Sequence, residues 1–153
     1  MSKNLAEPSI QRFIAGQGYN ISQLLRRPAP SMEKTVEIKV FADDEVLTVG
    51  DTKIVFFVSD DLNNHVLVDA DACVFVVSSS GDPEIQVRNV ISGNDMLSTP
   101  ITIDQGERCS YGAATPPVID TANDDVATGD PIAIDVDVAG ADATGLAVIL
   151  TFA

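Results

Sequence analysis

A chain of 153 residues that is 45% hydrophobic can bury one core of its own and is too apolar for wholesale disorder. Its formal net charge of −14 is unevenly spread: residues 1–39 carry six Lys/Arg against three acids (+3), and residues 40–153 carry three against twenty (−17). So acidic a body repels phosphate backbones, and apolar runs as short as Ile54–Val58 and Leu146–Leu150 do not span a bilayer, so neither nucleic acid nor membrane is expected as a partner.

The chain opens with an arm, residues 1–33, that differs from the rest. Met1–Leu5 lacks the apolar core of a secretion signal, so synthesis in a cytoplasm is the expectation. Ile10, Phe13 and Ile14 share one helical face after Pro8-Ser9, and Arg12 lies among them. Gly16-Gln17-Gly18 interrupts that pattern. Ile21, Leu24 and Leu25 form a second apolar stripe, followed by Arg26-Arg27-Pro28-Ala29-Pro30 as an extended connector. Both helical turns are too short to hold in water alone, so their apolar anchors need a surface, and a frayed terminus is the competing reading.

From Thr35 the period changes to two, and residues 34–153 read as one β domain. Val36, Ile38 and Val40 alternate with Glu37 and Lys39. Turns at Asp43-Asp44 and Gly50-Asp51 bound Val46–Thr48 and introduce a strand at Lys53–Ser59. Asp60–Asn64 is a polar loop. The run Ala72–Ser78 is the next expected strand, ended by Ser79–Pro83. Glu84–Val90 alternates Ile85 and Val87 against Gln86 and Arg88. Ile101 and Ile103 precede a turn at Asp104–Gly106, with Cys109–Tyr111 a short strand beyond it. Residues 113–129 are loop-rich. Pro131–Val138 alternates strictly, and Leu146–Phe152 is the last strand. About eight strands without a helix long enough for a crossover select an antiparallel all-β sandwich or barrel, with a jelly-roll-like β-sandwich as the lead.

Catalytic signatures do not emerge. G-x-S-x-G, H-E-x-x-H and the phosphate-binding loop are missing, and the single histidine, His65, sits in a loop among asparagines as an expected surface residue. Cys73 and Cys109 with one histidine do not supply a four-ligand zinc site. A disulfide between them stays open, but a cytoplasmic product keeps thiols reduced, and Cys73 within Ala72–Val77 reads as a small buried core residue. The aspartates 120, 124, 125 and 130 lack the ordered calcium-loop spacing and read as turn formers, although a calcium-dependent adhesion or carbohydrate-binding module remains the alternative from another class. The expectation is no enzyme, no cofactor and no metal.

Several segments resemble a jelly-roll module of tailed-bacteriophage virion proteins: Asp69–Val74, Met96–Ile103, Val118–Asp130, Ile134–Gly140 and Thr144–Phe152. The likeness begins at Thr35 and covers about three quarters of the chain, leaving the arm uncovered. It implies a structural protein that assembles on a virion, commonly as a homotrimer, either as a head decoration (cement) protein or as a head or tail fibre tip. The chain has neither shaft repeats nor a coiled coil, which favours cement on the outer capsid surface. The major capsid protein is then the partner, engaged through Ile10, Arg12, Phe13, Ile14, Ile21, Leu24, Leu25, Arg26 and Arg27.

Overall fold

The computed structural model describes residues 32–153. These residues are all-β, and every strand pairing among them is antiparallel. The strands are β1 (Lys34–Lys39), β2 (Gly50–Phe57), β3 (Leu67–Cys73), β4 (Glu84–Asn89), β5 (Asn94–Asp95), β6 (Leu97–Thr99), β7 (Ile101–Thr102), β8 (Val118–Ile119), β9 (Pro131–Val138) and β10 (Ala147–Phe152). One sheet has the order β1-β10-β3. The other has the order β2-β9-β4-β5, with β7 also on β4, and β6 pairs β8 separately.

Period-two alternation decides which side chains meet. In β9, Ile132, Ile134 and Val136 turn into the core; in β10, Val148, Leu150 and Phe152 do the same. Ile38 of β1, Ala70 and Ala72 of β3, and Ile85 and Val87 of β4 join them in one cluster. The two sheets therefore pack face to face as a sandwich. Each large side chain so buried is worth roughly 1.5–3 kcal/mol.

The two flanks of the sandwich are closed differently. On the β3/β4 flank the chain leaves β7, hydrogen-bonded to β4, and crosses to the other sheet, where Cys109 bridges Cys73 at the end of β3. We call this crossing, residues 103–112, the strap; it ends in the single-turn 3₁₀ helix Ser110–Gly112. Ile101 and Ile103 are completely buried at its root. On the other flank β1 and β2 are both edge strands. There Val36, Ile54 and Phe56 pack on the core but stay half-buried, with Phe56 edge-on to Phe152 at a centroid distance of 6.4 Å.

The alternating segments Pro131–Val138, Glu84–Asn89 and Ala147–Phe152 form strands within one residue of the sequence reading. Other segments differ: Cys109–Tyr111, expected as a short strand, is a single bridge at Cys109 followed by a 3₁₀ turn. The third long strand is Leu67–Cys73 rather than Ala72–Ser78: Leu67, Ala70 and Ala72 face the core, whereas Phe75 is 57% exposed. Val46–Thr48 is no strand and makes a single bridge, Val46 to Thr144. Gly50-Asp51, expected as a turn, opens β2, where a bulge before Ile54 absorbs the irregularity and Thr52 takes φ +53°.

Candidate functional site

The arm and its candidate partner-binding residues Ile10, Arg12, Phe13, Ile14, Ile21, Leu24, Leu25, Arg26 and Arg27 lie outside the described residues. Within the β domain, chemistry-bearing side chains collect on the outer faces of the two sheets.

On the second sheet the outer face is centred on an ion pair. Arg88 of β4 and Ala133 of β9 are in register, which brings Arg88 beside Asp135 one pleat further along β9. The guanidinium donates to both carboxylate oxygens, Nε to Oδ2 at 2.8 Å and Nη2 to Oδ1 at 3.0 Å. The bulge of β2 adds the Thr52 amide, which donates to Oδ1 at 2.6 Å, and the Thr52 hydroxyl accepts from Arg88 Nη2 at 2.9 Å. Asp135 is 4% exposed, so three donors compensate a carboxylate with little access to water. Its hydrogen bonds hold Arg88 protonated even more firmly than usual. Around the pair, Asp95 and Asp137 have carboxyls raised above the ordinary range, first by desolvation and then by repulsion from Asp135. The pair orders the face and ties β2, β9 and β4 together.

On the first sheet the outer face carries the second constellation. Lys39, Ala147 and Cys73 lie side by side across β1, β10 and β3. Ala147 and Gly145 supply no bulk, so a shallow depression of about 200 Å³ opens there, flanked by Lys39, Arg108 and the disulfide. Gly145 has φ +71°, and a Cβ at that position would meet Phe75 Cβ at 2.6 Å and Asp43 Cα at 3.0 Å, so only glycine fits.

The cysteines correct the sequence reading. Cys73 is half-buried and on the outer face, because Ala70 and Ala72 take the inward positions of β3. Cys109 stands directly opposite it with Cα atoms 4.0 Å apart, and the two sulfurs are bonded at 2.09 Å. The end of the strap is also fastened by Val74 N–H donating to the Arg108 carbonyl, by Ser110 Oγ accepting from Ala72 N–H and donating to Asp71, and by Arg108 Nη1 donating to the Phe75 carbonyl. Nearer its root Gln105 donates to Asp82 and the Ser79 carbonyl, and Gly106 N–H to the Ser78 carbonyl. Burial raises the Asp71 carboxyl; the Ser110 hydroxyl opposes this and Asp69 adds to it.

Two carboxylates of the acidic loop 120–130 are tied up by hydrogen bonds within the loop and to β4. Asp120 accepts from Ala122 N–H and Asn123 Nδ2, which holds its carboxyl below the ordinary range, and Asp130 accepts from Ala127 N–H and Asn89 Nδ2. Among the described residues no group of three or more His, Cys, Asp or Glu side chains is placed to hold a metal ion. His65 is half-buried rather than exposed, its Nδ1 3.2 Å from the Asn63 carbonyl. The Arg88–Asp135 pair is not legible in the sequence because its partners are 47 residues apart, although each falls on the polar side of an alternating strand.

No protein-family model matches the chain, and no curated protein matches it.

Proposed function

We propose that the chain is a structural virion protein of a tailed bacteriophage: a decoration protein that binds the outer capsid surface through its arm and stabilises the shell. The observation that carries this reading is the nested strand order. β1 pairs with β10, β2 with β9, β4 with β5 and β7, and the strap runs beside β3 through the Cys73–Cys109 bridge. A long antiparallel hairpin rolled into two sheets produces such nesting, and this supports the jelly roll that the sequence resemblance implies. The resembling segments Ile134–Gly140 and Thr144–Phe152 supply most of β9 and the whole of β10, an interior strand of each sheet.

Charge supports the docking polarity. The body carries −17 over residues 40–153 and the first 39 residues carry +3, so the two ends of the chain present opposite signs to a partner. The body assembles as a homotrimer and has no catalytic role. Copy number in purified virions tests the proposal: hundreds of copies per particle fit a decoration protein, a handful a fibre tip, and none removes the virion reading. Sedimentation with capsids tests the arm. Phe13→Ala with Leu24→Ala in the full chain is expected to weaken binding in graded fashion, and undiminished decoration by that variant would move the attachment surface to the β domain.

A further inference from the structure

The strap is closed by a bond that solvent reaches, and the surrounding charges run against the protein's own. Cys73 lines the depression on the first sheet, whereas Cys109 does not. The cations at the depression are Lys39 and Arg108, and the acid is Glu37. Lys39 is ion-paired with Asp43, but the ion pairs among the described residues do not include Arg108, which is next in the chain to Cys109. In a chain of net charge −14, the cysteine that lines the depression thus shares it with a cation not engaged by a carboxylate. A thiolate is the attacking species in disulfide exchange, and a nearby guanidinium favours both an anionic attacker and the thiolate that leaves.

We propose that Cys73–Cys109 is a reversible latch on the strap, opened by a small anionic thiol of the glutathione class that attacks Cys73 Sγ from the depression. The attacking thiolate forms a new S–S bond to Cys73 as the Cys73–Cys109 bond breaks. Cys109 Sγ leaves with the electron pair as a thiolate beside Arg108. A second thiolate then attacks the external sulfur of the mixed disulfide, releasing the oxidised small-molecule disulfide and Cys73 as a thiolate. Both protein thiolates take up protons according to pH. The net change is one protein disulfide reduced and two small thiols oxidised. With the bond open, the end of the strap stays beside β3 through the Val74 and Ser110 hydrogen bonds and the Arg108 contact described above, without a covalent tie. The inference rests on the β domain alone and is independent of the virion reading.

The full chain, kept under native conditions, is incubated with reduced glutathione or with cysteamine, a cationic thiol, then quenched by alkylation and weighed intact. The expected result is a glutathionyl adduct that peptide mapping assigns to Cys73, followed by two alkylated cysteines. Arg108→Gln is expected to lower the glutathione-to-cysteamine rate ratio roughly tenfold, and added salt to lower the same ratio in the unsubstituted protein. Hydrogen exchange of the reduced protein should rise over residues 104–112 while β9 and β10 stay protected. A bond that exchanges only after denaturant is added would make it a permanent staple and overturn the proposal. So would an adduct confined to Cys109, or a rate ratio that responds to neither salt nor Arg108→Gln.

Discussion

The two flanks of the sandwich solve one problem in opposite ways. Both must cover the seam between the sheets. On the β3/β4 flank a covalently anchored strap does so, and the core residues at its root, Ile101 and Ile103, have no solvent exposure. On the β1/β2 flank no strand crosses among the described residues, and the seam is covered by Val36, Ile54 and Phe56 themselves, each half-buried. A surface ion pair, Lys34 to Asp61 at 3.7 Å, spans its end, and such exposed pairs contribute little. Edge strands invite pairing with other chains, and this flank carries the usual deterrents: charged Lys34 and Lys39 on β1 and a bulge in β2. The covalent closure and the fully buried seam thus lie on one flank, while the other keeps half-buried apolar side chains along its seam.

The largest expected effect tests what holds the edge of the second sheet. Arg88→Met leaves Asp135 buried with one backbone donor, and should cost about 3 kcal/mol or more in chemical denaturation. The double change Arg88→Met with Asp135→Leu should recover much of that loss. A single substitution costing under about 1 kcal/mol would show the pair to be solvated and β2 to be held by other means.

Next comes the strap itself. Cys109→Ser removes a cross-link closing 36 residues of sequence separation. Chain entropy alone predicts a loss of about 3–4 kcal/mol. The same loss should appear in the unsubstituted protein under full reduction, and a melting temperature indifferent to reductant would remove the strap as the stronger closure.

Core truncation compares the flanks directly. Ile103→Ala, at a fully buried site under the strap, should cost about 2–5 kcal/mol, whereas Ile54→Ala on the half-exposed seam should cost less than half as much. Equal losses would mean that the β1/β2 seam is covered in solution, for example by another copy of the chain. Running the pair across protein concentrations would then separate that case from a monomer.

How far the sequence alone reveals this architecture depends on the kind of signal. β9 is readable to the residue, because Ile132, Ile134 and Val136 alternate with Ala133, Asp135 and Asp137 between a Gly-Asp and an Ala-Gly turn. β3 is not, because its inward residues after Leu67 are only the small Ala70 and Ala72, and the louder run Val74–Val77 lies outside the strand. Part of that run is exposed: the Phe75 and Val76 amides donate to the carbonyls of Thr144 and Gly145, so the chain there follows the turn before β10 rather than a sheet neighbour. The all-β class survives these errors because it rests on many strands. Pairwise chemistry fares worse. Arg88 and Asp135 are each recognisable as outward-facing, but their meeting depends on β4 and β9 being neighbours, which local patterns do not encode. The disulfide escapes the sequence for a related reason: the absence of an apolar leader argues for reduced thiols, whereas the bond follows from Cys73 facing outward and standing opposite Cys109.

The smallest expected effect is on pH, and it distinguishes the flanks by where the perturbed carboxyls lie. Asp95 and Asp137 surround the Arg88–Asp135 pair, and Asp71 is hydrogen-bonded to the strap through Ser110; all three are raised above the ordinary value of 3.8, chiefly by desolvation. In the folded protein each takes up its proton at a higher pH than in the unfolded chain. Stability from these groups is therefore gained as pH falls through their folded values and is complete below 3.8. Asp120 works the other way: its carboxyl is lowered, so its contribution is present above 3.8 and lost as pH falls through its folded value. The melting temperature is thus expected to rise between neutrality and about pH 4, then to decline. Asp95→Asn with Asp137→Asn should raise the melting temperature at neutral pH and flatten that rise, leaving the smaller share from Asp71, which Asp71→Asn isolates at the strap. A melting temperature that falls steadily from pH 7 downward would mean that the carboxyls around Arg88 are stabilised as anions, and the outer face of the second sheet would then owe its order to its negative charge rather than bear it as a cost.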